Sequence, residues 1–145
     1  MVSINPLYFA IFFLVLWLLV NFIISRLTGW ARMAAHYPSV GGFSGKLWRF
    51  QTITTRRGMG YKGSTTVGAD SRGLYLSLFF IFRFGHPPFF VPWRDITITE
   101  RQMFKFRALE LRFRKTEDLP VRIFAKLGDR LAEAAGSNWP SMEID

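Results

Sequence analysis

The chain has 145 residues, of which 50% are hydrophobic and 17% aromatic with sixteen Phe, an apolar content that excludes a disordered chain. Its formal charge of +9 favours anionic lipid headgroups, nucleic acid or an acidic protein face, and every Lys and Arg lies at or beyond Arg26. With no Cys, disulfide frameworks, thiolate metal sites and Cys nucleophiles are excluded together.

Residues 7–24 carry no charge, and Asn21 is their one strongly polar side chain. As a helix they span about 27 Å, close to the hydrocarbon thickness of a bilayer. Pro6 suits a first helical turn, and Tyr8 and Trp30 are placed for the two membrane interfaces. A cleaved signal needs a basic leading region, a shorter apolar core and small residues at the cleavage site. Residues 1–5 carry no Lys or Arg, and Ser25-Arg26-Leu27 makes a poor cleavage site. A buried core helix that is apolar all round needs a larger protein to cover it. The pattern therefore predicts a tail over 1–6 and a single transmembrane helix over 7–25. Arg26 and Arg32 follow the span and no cation precedes it, so the positive-inside bias places the tail outside and the rest in the cytoplasm, at the cell (inner) membrane.

Residues 28–37 predict a short helix with Trp30, Met33 or Ala34, and Tyr37 along one side, stopped by Pro38. It is either a lipid-sensing segment or a linker that settles on the domain, and its few cations favour the linker. Residues 39–45 are rich in Gly and Ser and mark a domain boundary, so 26–45 form a juxtamembrane helix and linker.

The period then becomes two. Trp48, Phe50 and Thr52 alternate with Arg49 and Gln51, Leu74, Leu76 and Leu78 with Tyr75 and Ser77, and Ile96 and Ile98 with Thr97 and Thr99. Residues 65–69 are a further β-prone piece, joined to the Leu74 strand by an Asp70-Ser71-Arg72-Gly73 hairpin turn. Beyond it the inward set is Phe104, Phe106, Leu109, Leu111 and Phe113, which requires a bulge at Ala108. Val121 and Ile123 follow a Glu117-Asp118 turn as the last strand. Leu127, Leu131 and Ala134 or Ala135 then share one helical face opposite Asp129, Arg130 and Glu133, with Gly136 as the stop. The class is mainly β: a partly open barrel of six or seven antiparallel strands with a C-terminal helix over 46–136, a tail over 137–145, and one transmembrane helix in front.

This element order, together with Val91-Pro92-Trp93-Arg94-Asp95-Ile96, resembles the pleckstrin-homology superfold with its GRAM-like and bacterial members, in which Pro-Trp-x-x-Ile leads into a middle strand. The resemblance covers residues 46–136. Residues 73–77 and 83–88 also resemble segments of small bacterial membrane proteins with one N-terminal span. Neither resemblance implies an activity. The first implies a site: lipid-binding members place phosphate-contacting cations between their first two strands, where Arg56, Arg57 and Lys62 stand here. A solvated basic loop is the competing reading of those three residues.

The same stretch contains Gly58, Gly60 and Gly63 at dinucleotide-binding spacing, but a strand follows where a helix is required, so no cofactor is expected. His36 and His86, the only histidines, have no acidic or imidazole neighbour at ligand spacing, and His86 reads as part of a stiff connection before Pro87-Pro88. Asp95, Glu100 and Glu110 stand among cations as salt-pairing groups and not as an acid–base dyad. A Ser nucleophile has neither base nor elbow. The mixed basic and aromatic run through Phe104, Phe106 and Phe113 resembles a single-strand nucleic-acid surface, but inward phasing makes those rings core, so nucleic acid is not expected. The expectation is a non-enzymatic, anchored module for anionic lipid, a membrane protein, or both. The alternative is an accessory subunit or assembly factor of a larger membrane complex, with Phe79, Phe82, His86, Phe89 and Phe90 as its contact.

Overall fold

The computed structural model describes residues 5–39, 41–55, 58–103 and 105–144. Helix α1 (Pro6–Thr28) begins where Asn5 Oδ1 accepts the Leu7 amide at 3.0 Å and Pro6 takes the first turn. It ends at Gly29, whose φ of 88° is the left-handed cap. Its 23 residues give about 34 Å, and it is long and apolar enough to cross a bilayer. Helix α2 (Trp30–His36) follows at once, and Trp30, Met33, Ala34 and Tyr37 are all buried in the same core as the sheet.

The sheet has seven antiparallel strands in the order β4-β3-β2-β1-β7-β6-β5, and a short eighth, β8, runs parallel to β5. These are β1 (Lys46–Thr54), β2 (Gly60–Ala69), β3 (Gly73–Leu78), β4 (Phe89–Pro92), β5 (Ile96–Met103), β6 (Phe106–Phe113), β7 (Thr116–Phe124) and β8 (Met142–Ile144). Among the described residues the seam between β1 and β7 is Thr54 opposite Arg122, where the two halves of the sheet meet. Helix α3 (Ala125–Ala135) packs across the seam against β2, β6 and β7, while α2 packs on β4 and β7. The free edge of β4 is covered by the chain leaving α2, where Pro38 bridges Phe89 and the Phe90 amide donates to Tyr37 O at 3.0 Å.

The alternation on β3 and β5 holds: Leu74, Leu76, Leu78, Ile96 and Ile98 are buried. The Asp70–Gly73 turn is an Asx turn in which Asp70 Oδ1 accepts the amides of Arg72 and Gly73. Trp93 and Asp95 form a one-turn helix that leads into β5, with Trp93 Nε1 donating to Asp70 O at 2.7 Å. Along α3, Leu127, Leu131 and Ala135 face inward and Gly136 ends the helix.

Other readings change. No bulge stands at Ala108, and the β6–β7 register shifts only between Leu111 and Phe113; the bulge that turns a Phe outward lies in β1, where residues 49 and 50 together face Thr66, Phe50 has φ 58° and it is 70% exposed. Ile53, not Thr52, is therefore inward beyond the bulge. Strand β6 pairs with β5 without a break, so Phe106 shares the face of Ala108 and Glu110 and is exposed; Phe104 lies outside the described residues. Thr116, Glu117 and Asp118 already belong to β7, the turn being Arg114-Lys115. The described part of the expected 137–145 tail, residues 137–144, is more than a tail, since Trp139 packs on Trp93 and β8 pairs with β5.

Candidate functional site

The polar residues of α1 are not scattered. Asn21, Ser25 and Thr28 are spaced by four and three, which puts them on one stripe with Trp17, and all three are buried. Asn21 Nδ2 donates to Trp17 O at 2.9 Å and Ser25 Oγ to Phe22 O at 2.7 Å, so both are satisfied within the helix. The stripe is covered by the β3–β4 connection. Gly85, at φ 76°, comes so close that a Cβ would stand 3.1 Å from both Phe22 Cα and Ser25 Oγ. Further along the helix, Trp17 Nε1 donates to Ile81 O at 2.9 Å and its ring meets Phe82 at 5.5 Å.

At the C-terminal end of α1 a polar chain joins helix, sheet and connection. Thr28 Oγ1 lies 2.7 Å from Tyr61 Oη, which lies 2.8 Å from His86 Nε2. His86 Nδ1 is 3.2 Å from Phe84 O, an acceptor only, so the ring proton belongs on Nδ1 and Nε2 accepts from the Tyr61 hydroxyl. Burial raises the Tyr61 hydroxyl to about 12 and lowers His86 from its usual 6.5. A neutral His86 in the fold has a consequence for acid stability. An unfolded chain takes up this proton as pH falls through about 6.5 while the native ring resists it. Stability is therefore full above that value and falls below it, by up to about 1.4 kcal/mol per pH unit, until the lowered native value is reached. Thermal unfolding at pH 7.5 and 5.5 checks this, with a smaller pH difference in His86→Gln.

The residues singled out from sequence part company here. Trp30 is not at a membrane interface: its indole is fully buried, donates to Pro87 O at 2.8 Å and meets the rings of Tyr61, His86 and Phe89. His86 and Phe89 are likewise buried and unable to meet a partner. Phe82 is half-buried on Trp17, and Phe90 is half-buried beside Phe43 with Arg72 over its ring. Phe79 is exposed, and so are Phe80, Ile81 and Phe84 around it. Tyr8 is exposed on α1, Arg26 lies over the Phe22 ring, and Arg32 pairs with Asp118. Lys62 is exposed at a second irregularity of the β1–β2 pair, where Gly63 at φ 66° donates its amide to Thr52 Oγ1; Arg56 and Arg57 lie outside the described residues. The glycine spacing serves this bulge, and β2 begins at Gly60.

Beside the exposed connection a groove of about 220 Å³ opens on the outer face of β1, β2 and β3. Arg49, Ser64, Thr66, Ser77 and Arg83 line it, and Phe50, Phe79 and Phe80 form an apolar wall. Phe50 reaches this wall, 6.4 Å from the Phe79 ring, because of its left-handed backbone, a conformation that costs about 1–2 kcal/mol in a non-glycine residue. Arg83 Nε donates to Leu78 O at 3.0 Å, and neither Arg49 nor Arg83 has a carboxylate partner among the described residues. Two guanidinium groups beside three hydroxyls suit an anionic oxygen ligand such as a phosphate. Sequence reading missed this pair, because Arg49 read as an ordinary outward strand position and Arg83 as part of a stiff connector. The stripe through Asn21, Ser25 and Thr28 was the available signal that α1 is docked against another segment.

The acidic groups fall elsewhere. Glu110 is buried among Arg101, Arg112 and Arg122, Glu100 pairs with Arg107, and Asp95 accepts from Tyr37 Oη at 3.1 Å. Among the described residues no three His, Asp or Glu gather as a metal site. Compared with models of protein families and with curated proteins, the chain matches none.

Proposed function

We propose that this chain is a non-enzymatic, single-pass membrane protein whose sheet domain, of pleckstrin-homology type, binds anionic lipid headgroups on the cytoplasmic side. The length and apolarity of α1 support the anchor, and Arg26 and Arg32 after it, with no cation before it, support the orientation. Seven antiparallel strands followed by a helix support the fold resemblance. The observation that carries the reading is the groove of Arg49 and Arg83, whose charges have no carboxylate partner among the described residues and whose apolar wall adjoins the segment docked on α1. An anionic headgroup there meets two cations and hydroxyl donors together, and the overall charge of +9 draws such lipids toward the domain.

The test uses full-length protein in nanodiscs of phosphatidylcholine doped with phosphatidylglycerol, with the lipid that stays bound on detergent extraction measured by mass spectrometry. Anionic lipid is expected in excess over its share of the disc. The double variant Arg49→Ala, Arg83→Ala is expected to weaken its retention about thirtyfold, at about 1 kcal/mol per cation near a membrane surface. Equal retention of both lipids at low salt overturns the reading.

One observation favours the accessory-subunit alternative. Phe106 and Phe124 stack edge to face at 6.3 Å, both exposed, over a largely apolar groove of about 240 Å³ bounded by Thr52, Thr54 and Ala108. On gentle detergent extraction of the full-length chain from its native membrane, a protein retained in fixed proportion supports this alternative and a solitary monomer counts against it.

A further inference from the structure

We infer that the tip of the β3–β4 connection, Phe79 to Phe84, is itself a second membrane-embedded element, lying among lipid acyl chains alongside α1. This rests on the reading of α1 as a span. The depth comes from one hydrogen bond and a ring contact: Trp17 Nε1 to Ile81 O at 2.9 Å, with Phe82 on the Trp17 ring. Trp17 precedes Arg26 by nine residues, about 14 Å along the axis, so with Arg26 at the headgroups the tip of the connection reaches well into the hydrocarbon. The other side of the helix gives the same level. Leu19, Ile23 and Leu27 all lie C-terminal to Trp17, are about half exposed, and require lipid where the connection runs.

The composition of the tip fits that setting. Phe79, Phe80, Ile81 and Phe84 are 41%, 66%, 42% and 50% exposed, although β3, the strand that leads into them, is buried along most of its length. So large a display of aromatic surface on one connection is unfavourable in water. The carbonyl groups fit it too, because non-helical backbone at membrane depth requires its polar groups to be paired. The carbonyls of Leu78, Phe79, Phe80, Ile81, Arg83 and Phe84 accept from Arg83 Nε, the Phe82 amide, the Arg83 amide, Trp17 Nε1, the His86 amide and His86 Nδ1 in turn. The one cation of the connection, Arg83, turns its side chain back into the groove shared with Arg49, as a charge does when it seeks the headgroup level. Gly85 then lets the connection press on the Phe22 backbone, so tip and helix enter the bilayer as one unit. The consequence is orientation: two insertions fix the rotation of the domain about the anchor and hold the groove at the headgroup layer.

The chain has no Cys, so single cysteines report on single places. Full-length protein carrying Phe80→Cys, Leu16→Cys or Thr97→Cys, each labelled with an environment-sensitive fluorophore, is reconstituted in phosphatidylcholine vesicles. Quenching by acyl-chain nitroxide lipids is compared with quenching by aqueous iodide. The label at 80 is expected to match that at 16 within about twofold in lipid quenching and to be shielded from iodide, whereas the label at 97 is open to iodide. A label at 80 that behaves like 97 while 16 stays lipid-quenched overturns the inference and leaves the span standing. Labels at 16 and 80 both open to iodide overturn the spanning reading itself. Phe84→Cys, at the far side of the tip, repeats the measurement should Phe80→Cys not fold.

Discussion

Replacement of Trp30 by alanine is expected to destabilise the sheet domain by about 4 kcal/mol, and a fragment that begins at Ser39 is expected not to fold. The indole is fully buried, fills the space between Tyr61, His86 and Phe89, and satisfies Pro87 O. Its removal leaves a large cavity and an unmet carbonyl, which places it within the roughly 3–5 kcal/mol range for aromatic truncation. The fragment loses more. Met33 and Tyr37 leave with Trp30, the Tyr37 hydroxyl no longer joins Asp95 to the Lys115 amide, and the edge of β4 loses Tyr37 O and Pro38. Losses of that size together match the roughly 5–15 kcal/mol by which a domain is stable. Near-ultraviolet circular dichroism and thermal melts of two fragments check it. One starting at Arg26 keeps α2 and is expected to melt cooperatively, and one starting at Ser39 is not. A cooperative melt from the Ser39 fragment places α2 outside the folding unit.

What could be read beforehand follows from where each side chain packs. Leu74, Leu76 and Leu78 alternate cleanly because β3 lies between two neighbours with one face on the core, and α3 shows its face because Leu127 and Leu131 are a full turn apart on it. Phe50 and Phe106 misled because a Phe at an alternating position is ordinarily core. A bulge set by tertiary pairing turned the first out, and the unbroken β5–β6 register placed the second on the other face. Trp30, following an apolar helix, reads as an interface residue by pattern alone, yet α2 folds back onto the sheet and buries it. The groove was less legible still. Arg49 and Arg83 are 34 positions apart and meet only because the bulge in β1 and the turn after β3 converge, while the expected cations clustered locally in the β1–β2 loop.

Glu110 is the other position where one side chain organises much of the fold, and it does so at the seam. It lies opposite Arg122 on β7, two residues from Arg112 on its own strand, and diagonal to Arg101 on β5, so one buried carboxylate gathers three guanidinium groups. Arg122 is also the residue that faces Thr54 where the halves of the sheet join. Glu110→Ala is expected to cost about 2–3 kcal/mol, below the roughly 3–5 kcal/mol for breaking a fully buried pair, because the three Arg side chains are 36–40% exposed and turn partly to water. Glu110→Gln, which keeps the volume and removes the charge, is expected to lose most of the same stability. Salt separates charge from packing: at about 1 M the screening length falls to about 3 Å, so repulsion among the freed cations weakens and the deficit of both variants shrinks relative to about 0.1 M. Amide exchange places the damage. Faster exchange at Thr54 and Arg122, with Leu74 and Leu76 on β3 unchanged, means that the carboxylate holds the two halves together. A deficit unaffected by salt, with uniform exchange throughout the sheet, means that Glu110 serves only as filling.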